Sequence, residues 1–256
     1  MGGASASSRD DGAVTEPLSL ADGWDAHADE WIAWSRTGRD SYETIHRDVF
    51  LPLVPGPGRL TVDVGCGEGR VSRDLRARGH RVLAFDRSPA MCLAAAAHPD
   101  DPVPAVVADA TALPLPDAAA DCVVAFMSLH DIDRMPAAVA EAARILDSGG
   151  HLVFAVVHPI NSAGRFTSDK ADPDRPFVIA GSYLEPRRYV DVFTADGMTV
   201  TFHGEHRPVQ AYTEALAAAG FAVKRLLEVT DPDPARPWRR VPLFLDIVAV
   251  LLRPNP

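Results

Sequence analysis

The residues with the clearest potential for chemistry lie at positions 60–70, in the sequence LTVDVGCGEGR. The apolar, β-branched start of this stretch predicts a short buried strand, and Val71 and Leu75 begin a helical pattern after it. Three glycines separate the two elements: Gly65, Gly67 and Gly69. Glycine lets a backbone approach a ligand closely, because a Cβ at the same place would clash with it. A strand, a glycine turn and a helix N-terminus together predict a cofactor cradle.

The spacing of the glycines distinguishes two classes of cofactor. A dinucleotide fingerprint, G-x-G-x-x-G, requires a third glycine at position 70, where this chain has Arg70. The pattern here is instead D-x-G-x-G-x-G, beginning at Asp63. Asp86 ends the next predicted strand, 19 residues after Gly67. An acidic side chain there can accept hydrogen bonds from both hydroxyls of a ribose, so the sequence favours a ribose-containing cofactor other than a nicotinamide dinucleotide.

Strands and helices alternate through the middle of the chain, which predicts a parallel sheet with helices on both faces. The predicted strands are 59–64, 81–85, 104–108, 121–127, 151–157, 221–229 and 241–251. The predicted helices between them are 69–78, one that starts at Ser88 and Pro89, 136–147 and 208–219. Parallel sheets of this kind bind their ligands at the carboxyl ends of the strands.

Two further segments flank this pattern. Residues 1–20 are poor in large apolar side chains, so we predict a disordered tail before a single domain at 21–256. Helices within 24–54, the first capped by Asp22, carry aromatic residues that are either core or a cap over the cofactor pocket, with Trp34 and Tyr42 as the pocket candidates. Residues 158–207 interrupt the alternation with a long polar loop and an Asp-Gly hairpin of strands 188–194 and 198–203. We predict that this insertion is a substrate lid.

Composition excludes several classes of protein. The chain has 256 residues, a formal charge of −10 and a pI of about 5.3, which disfavours nucleic acid as a partner. We found no membrane-spanning run and no leader pattern, so we expect a soluble, cytoplasmic protein, monomeric or homodimeric. The odd number and the spacing of the cysteines disfavour disulfides and a zinc site. A metal is not expected.

Five segments in this order resemble the class I S-adenosylmethionine (SAM) dependent methyltransferases, in particular the small-molecule enzymes of ubiquinone and menaquinone biosynthesis. They are VDVGCGEG (62–69), FDRSPAM (85–91), ADATALPLPD (108–117), CVVAFMSLHDI (122–132) and EAARILDSGGHLVF (141–154). The resemblance implies an α/β, Rossmann-like sheet of seven mostly parallel strands, with N-terminal capping helices and an inserted β-hairpin lid. It implies SAM as cofactor and S-adenosylhomocysteine (SAH) as product.

The same resemblance implies a set of cofactor-binding residues. They are Asp63, Gly65, Cys66, Gly67 and Gly69 for the methionine part, Asp86 for the ribose, Arg87 and Met91 beside the adenine, Asp109 and Ala110 for its polar edge, and Met127 near the sulfonium. For Asp63 a bond to the turn amides, and for Asp109 a loop cap, are the structural alternatives. The Cys66 side chain is interpreted as a small filler.

Methyl transfer requires that the acceptor be positioned and that one proton be removed. The candidate proton acceptors lie at or beyond strand ends: His130 and Asp131 after strand 121–127, His158 after strand 151–157, and Tyr183 in the insertion. His130 is a base or a packing residue, and Asp131 orients it or takes the proton itself. His158 precedes Pro159 and is expected to face the pocket. The candidate substrate-binding residues are Trp34, Tyr42, Tyr189, His203 and His206.

The sequence therefore predicts methyl transfer from SAM to a small, aromatic natural product on carbon, oxygen or nitrogen. The absence of Asn/Asp-Pro-Pro-Tyr after strand 121–127 disfavours methylation of nucleic-acid bases. The Ala, Arg and Pro content resembles that of actinobacterial proteins. The alternatives are a SAM-binding cyclase or a non-catalytic SAM-binding module. A nicotinamide oxidoreductase is disfavoured by Arg70.

Overall fold

A computed structural model describes residues 19–168, 172 and 174–252 of the chain. In these residues eleven strands and eight α-helices alternate. The strands are β1 (Thr61–Val64), β2 (Val82–Asp86), β3 (Ala105–Val107), β4 (Ala120–Phe126), β5 (Leu146–Val157), β6 (Gly164–Phe166), β7 (Phe177–Ile179), β8 (Arg187–Ala195), β9 (Met198–His206), β10 (Phe221–Val229) and β11 (Phe244–Leu251). The helices are α1 (Leu20–Ala26), α2 (Ala28–Ser35), α3 (Arg47–Phe50), α4 (Arg70–Ala77), α5 (Pro89–Ala96), α6 (Met135–Ile145), α7 (Pro159–Ala163) and α8 (Val209–Ala218).

Seven strands form one central sheet in the order β10-β11-β5-β4-β1-β2-β3. Strands β1 to β5 are parallel to one another, whereas β11 runs antiparallel to both β5 and β10. The predicted Rossmann-like, mostly parallel sheet is confirmed. All residues of β1 are buried, as expected for a central parallel strand that helices cover on both faces. The carboxyl ends of β1, β2 and β4 therefore meet at one edge.

Two apolar clusters fix the helices to the two faces of the sheet. One packs α6 and α8 against it around Phe154, Tyr212 and Ile247. The other packs the N-terminal segment and α4 around Phe50 and Phe126. Their rings meet edge to face, with centroids 4.8 Å apart. These contacts hold the N-terminal segment beside the carboxyl edge of β4.

The first helix begins earlier than the sequence pattern predicts. The Ser19 hydroxyl accepts a hydrogen bond from the backbone N–H of Asp22, so Ser19 is the cap and the prediction of Asp22 as cap is wrong. Leu20 is the first helical residue and is buried, although the predicted disordered tail included it. The rest of that tail, residues 1–18, lies outside the described residues.

The hairpin of β8 and β9 turns at the predicted Asp-Gly pair. Asp196 and Gly197 both have a positive φ, 52° and 78°, which is the backbone of a two-residue turn that suits twisted antiparallel strands. The sequence pattern missed a second, smaller hairpin, β6 with β7, inside the segment predicted as a polar loop. The ring of Phe166 in this hairpin packs against Trp238, with centroids 4.9 Å apart. No described helix is long and apolar enough to cross a membrane.

Candidate active site

The turn between β1 and α4 has a backbone that only glycine adopts easily. Gly65, Gly67 and Gly69 have φ values of 72°, 56° and 90°. A Cβ at Gly65 would lie 2.4 Å from the Cβ of Ser128, so this position has no room for a side chain. The Ser128 hydroxyl donates to the carbonyl oxygen of Val64 at 2.7 Å and ties the ends of β1 and β4 together. The turn is thus held open toward the carboxyl edge of the sheet.

Asp86, at the end of β2, is hydrogen-bonded to the glycine turn. Its Oδ2 accepts from the Gly67 N–H at 2.8 Å and its Oδ1 accepts from the Ser88 N–H at 2.9 Å. Burial raises the pKa of this carboxyl, and the backbone hydrogen bonds oppose that rise. Asp86 therefore fixes the position of the turn. It also lines the cavity described below.

Asp63 is buried beneath the turn, with 1% of its surface exposed. Its Oδ2 accepts from the Ser72 hydroxyl of α4 at 2.6 Å. Burial raises the pKa of this carboxyl to about 7, and the Ser72 hydrogen bond only partly offsets the effect. The structural alternative for Asp63 was a hydrogen bond to the amides of the glycine turn. The observed partner is instead Ser72, in the first turn of α4.

Asp109 follows β3 and caps its own loop with one oxygen. Its Oδ1 accepts from both the N–H and the hydroxyl of Thr111 at 2.8 Å. These bonds, with the guanidinium groups of Arg87 and Arg134, lower the pKa of Asp109. Its Oδ2 lies 4.0 Å from Arg87 and 3.9 Å from Arg134. The loop cap and a ligand contact are compatible, because they use different oxygens.

A cavity of about 650 Å³ runs from this edge of the sheet to the lid. Ten of the eleven predicted cofactor residues line it: Asp63, Gly65, Cys66, Gly67, Asp86, Arg87, Met91, Asp109, Ala110 and Met127. Gly69 lies behind them as the residue that precedes α4. Cys66 is a buried free thiol, as the small-filler interpretation expects. Contact of each residue with the cofactor stays a prediction.

His130 and Asp131 line the cavity just after β4. The chain reverses there through Met127, whose φ of 54° is unusual for a residue other than glycine. His130 Nε2 lies 3.3 Å from Asp131 Oδ1. Burial and the charge of Arg207 lower the pKa of His130 to about 3, and burial raises the pKa of Asp131 well above its usual value. The imidazole is therefore neutral, and the carboxyl is the group with the greater affinity for a proton.

His158 does not face the cavity, so its predicted position is wrong. It is buried, and its Nδ1 accepts from the Ile160 N–H at 3.0 Å as the cap of α7. Its Nε2 lies 3.0 Å from a carboxylate oxygen of Glu228 on β10. Both ring nitrogens are thus engaged with the protein, and His158 positions α7 against β10.

Tyr183 and His206 lie together outside the cavity lining. His206 Nδ1 is 2.7 Å from the Ser162 hydroxyl, and its Nε2 is 2.8 Å from the backbone oxygen of Tyr183. The Tyr183 hydroxyl accepts from the Val209 N–H at 3.1 Å. Because these bonds join β9, α7 and α8, both residues support the base of the lid rather than face a substrate.

Tyr42 is also removed from the cavity lining. It is 1% exposed, and its hydroxyl donates to Asp74 Oδ2 at 2.7 Å. Burial and this bond raise the pKa of Tyr42. The Arg70 guanidinium lies 4.8 Å from the centroid of the Tyr42 ring and 4.9 Å from that of the Trp31 ring. Arg70 also pairs with Asp40, so it joins the cofactor turn to the N-terminal segment.

The hairpin of β8 and β9, which belongs to the insertion predicted as a lid, packs against α1 and α2. These three elements together are called the lid below. Three predicted substrate residues, Trp34, Tyr189 and His203, line the cavity. The wall also contains Trp24 and Trp31, which the sequence left open as core or pocket cap, and Phe193 and Phe202, which the sequence missed. Alternation along β8 is the signal that could have found Phe193, since it shares a face with Tyr189. The indole N–H of Trp24 donates to the carbonyl oxygen of His203 at 2.8 Å and joins the two parts of the lid.

Comparisons with known proteins agree with this geometry. Residues 62–154 match the family model described as a methyltransferase domain. The malonyl-[acyl-carrier protein] O-methyltransferase of Serratia marcescens is 37% identical over 126 residues, 46% of this chain and 48% of that protein. The demethylmenaquinone methyltransferase of Mycobacterium tuberculosis is 35% identical over 116 residues, 45% of this chain and 47% of that protein. The chain spans about half the length of these curated relatives.

A solved structure extends the similarity over most of the chain. The SAM-dependent methyltransferase of Mesorhizobium loti superposes with a TM-score of 0.66 at 26% identity, over 83% of this chain and 98% of that one. Residues 62–154 thus match a methyltransferase domain, and the fold around them is similar to that of a SAM-dependent methyltransferase. These comparisons support SAM as the cofactor, and the glycine turn, Asp86 and the Asp109 loop offer it an open backbone and carboxylate oxygens. Among the described residues, no cluster of side chains is placed to hold a metal ion.

Proposed function

We propose that the protein transfers a methyl group from SAM to a small, aromatic, natural-product acceptor held beneath the lid. The observation that carries this proposal is the single continuous cavity, which joins the glycine turn to a wall of aromatic side chains. His130 and Asp131 lie where the carboxyl end of β4 meets that wall. The acceptor, the methyl donor and a proton acceptor can therefore be held close together.

SAM supplies a methyl group on a sulfonium, which is open to in-line attack by a nucleophile. The residues of the chain do the remaining work. The glycine turn, Asp63 and Asp86 hold the donor at the edge of the sheet, and the aromatic wall excludes water and orients a flat acceptor. Asp131 takes the acceptor proton, because burial raises its affinity for one, while neutral His130 beside it maintains the position of the carboxylate.

The names of the relatives indicate two kinds of acceptor, an acyl-carrier-bound malonyl group and a demethylmenaquinone. Neither follows for this chain, because the similarity to each protein covers less than half of this chain. The aromatic wall favours a flat acceptor of the quinone, phenol or indole size. Carbon, oxygen and nitrogen acceptors are each compatible with one proton acceptor at Asp131.

Mass spectrometry of products tests the proposal. The purified protein is incubated with SAM and a panel of indoles, phenols, amines and keto acids, and we expect one acceptor to gain the mass of a methylene group as SAH accumulates. Fragmentation then locates the methyl group. SAM that binds but is never consumed, with this panel and with extracts of the producing cells, would contradict methyl transfer and favour the cyclase or binding-module alternative.

A further inference from the structure

Five aromatic side chains form the lid wall of the cavity. Trp24, Trp31 and Phe202 meet edge to face, with centroids 5.9 Å apart for the two indoles and 6.3 and 5.9 Å from Phe202. Trp34 and Phe193 continue the wall, with centroids 5.2 Å apart. The face of an aromatic ring is electrostatically negative, and tryptophan is the most effective of these rings in binding a cation. A wall of this composition suits a positively charged acceptor.

Asp131 faces the same wall with an unpartnered oxygen. Its Oδ1 is buried, and although His130 Nε2 lies 3.3 Å away, this oxygen makes no hydrogen bond within the described part of the chain. The side chain is 13% exposed. The indole N–H of Trp24, which donates to His203, also lies near this carboxyl and lowers its pKa. A buried acceptor atom that the protein leaves unsatisfied is costly unless a ligand satisfies it. A ligand with an N–H donor would do so.

No neighbouring side chain of the described residues fully neutralises the charge of the Asp131 carboxylate. His130 is neutral, because burial and Arg207 lower its pKa to about 3. The Arg207 guanidinium lowers the pKa of Asp131, but its hydrogen bonds go to Glu205 and to backbone oxygens of the turn after β4, so it compensates the carboxylate only in part. Asp86 raises the pKa of Asp131 further, and the buried Tyr212 phenol is uncharged at neutral pH. Asp131 thus remains poorly compensated within the protein.

Three other carboxylates of the cavity have arginine partners, whereas Asp63 and Asp86 are held by Ser72 and by backbone N–H groups. Asp40 pairs with Arg70, Asp133 with Arg188, and Asp231 with Arg236. Asp133 also accepts from the Leu20 N–H. The contrast with Asp131 distinguishes a carboxylate that stabilises the fold from one that is available to a ligand.

We infer, given the methyl transfer proposed above, that the acceptor is an amine, bound as its ammonium ion between the aromatic wall and the Asp131 carboxylate. The ammonium first gives one proton to Asp131, which frees the nitrogen lone pair. The nitrogen–carbon bond then forms as the carbon–sulfur bond breaks, and that electron pair stays on sulfur. The product leaves as a methylated ammonium ion, and Asp131 releases its proton to water.

Calorimetry with two matched probes tests the inference. Tryptamine and its alcohol analogue tryptophol have the same indole and chain and differ in the terminal ammonium or hydroxyl group. Each is titrated into protein saturated with SAH, near neutral pH, in buffers with different ionisation enthalpies. We expect tryptamine to bind at least tenfold more tightly. We also expect its binding to release a proton, because an entering cation favours the ionised form of Asp131.

The variant Asp131→Asn is expected to abolish both the preference for tryptamine and the proton release, while the affinity for SAH changes less than threefold. Asp231→Asn is the matched control, because Arg236 already neutralises that carboxylate, and it is expected to keep the tryptamine preference. Equal binding of both probes, no tryptamine binding to SAH-saturated protein, or a preference that survives in Asp131→Asn would overturn the inference. Failure to bind SAH would instead refute the proposed function itself.

Discussion

At the residue scale, three polar groups at neighbouring strand ends acquire different roles from their surroundings. Asp63 and Asp131 are carboxyls whose pKa values burial raises, whereas His158 is a cap whose two nitrogens are engaged. Sequence predicts that such residues lie near the carboxyl edge of the sheet. It does not give the direction of each side chain, which depends on partners such as Glu228, 70 residues away from His158.

The proton-acceptor assignment predicts a contrast between two variants. Asp131→Asn removes the group that takes the acceptor proton, so kcat should fall about 100-fold. His158→Asn should change kcat less than threefold, because asparagine is also a good helix cap and the position lies outside the cavity. Steady-state assays on folded protein measure both. A larger loss of kcat in His158→Asn than in Asp131→Asn would reverse the assignment.

The raised pKa of Asp63 predicts that the stability of the folded protein depends on pH. Its pKa in the folded protein, about 7, exceeds the ordinary value, so the folded state binds more protons. The stabilisation is complete below the unfolded pKa and is lost as the pH rises through about 7. As the pH rises from 5 to 8, the loss of this contribution should lower the free energy of unfolding by about 3 kcal/mol. Urea unfolding of Asp63→Asn should lack this contribution. Asp117→Asn, at an exposed carboxyl, should retain it; equal pH profiles for both variants would disprove the effect.

At the scale of elements, the cofactor turn and the lid are joined through one side chain. Arg70 is the first residue of α4, and its guanidinium contacts the rings of Trp31 and Tyr42 while it pairs with Asp40. Burial lowers the pKa of Arg70 to about 9, so the side chain remains charged at neutral pH. The position of α2 over the glycine turn therefore depends on α4.

Arg70→Ala should weaken SAH binding about tenfold, because α2 loses its attachment beside Gly67. The matched control is Arg78→Ala at the exposed C-terminal end of the same helix, which should bind SAH as the unmodified protein does. Calorimetry at neutral pH gives both affinities. Unchanged SAH affinity in Arg70→Ala would show that the lid and the turn are independent.

The elements differ in how far the sequence could predict them. Strands β1, β2, β4 and β10 lie within two residues of their predicted bounds, because buried apolar runs and glycine stops are local signals. The hairpin of β8 and β9 was predicted from its Asp-Gly turn. The hairpin of β6 and β7 was not, since its three-residue strands are stabilised by packing of Phe166 on the distant Trp238. The same limit hid the contact between Trp24 and Phe202, which depends on the packing of the β8–β9 hairpin against α1.

At the scale of the whole molecule, a buried pair connects the N-terminal segment to the antiparallel edge of the sheet. His46 Nε2 lies 2.6 Å from Asp246 Oδ1 of β11, and neither residue is more than 1% exposed. The ring of His46 stacks on Phe244, with centroids 4.5 Å apart. The pair spans 200 positions of sequence, so no local pattern predicts it.

His46→Ala should lower the free energy of unfolding by about 3 kcal/mol, because it leaves the Asp246 carboxylate buried without its partner. Urea unfolding measures the loss. The double variant His46→Ala, Asp246→Ala should lose less than the sum of the two single variants, since it removes the unpaired charge. Additive losses would mean that the two side chains contribute independently.

The central claim is that the turn at 65–69 holds the cofactor, and SAH affinity of Gly67→Val tests it most directly. Valine at this position meets a positive φ of 56°, and a Cβ there lies 3.4 Å from Trp31 Nε1. Calorimetry should give at least a 100-fold loss of affinity in a variant that is still folded. The control Gly56→Val, at a position with open space around it, should bind SAH normally. Equal affinity of Gly67→Val and the unmodified protein would contradict the assignment of the cofactor to this turn.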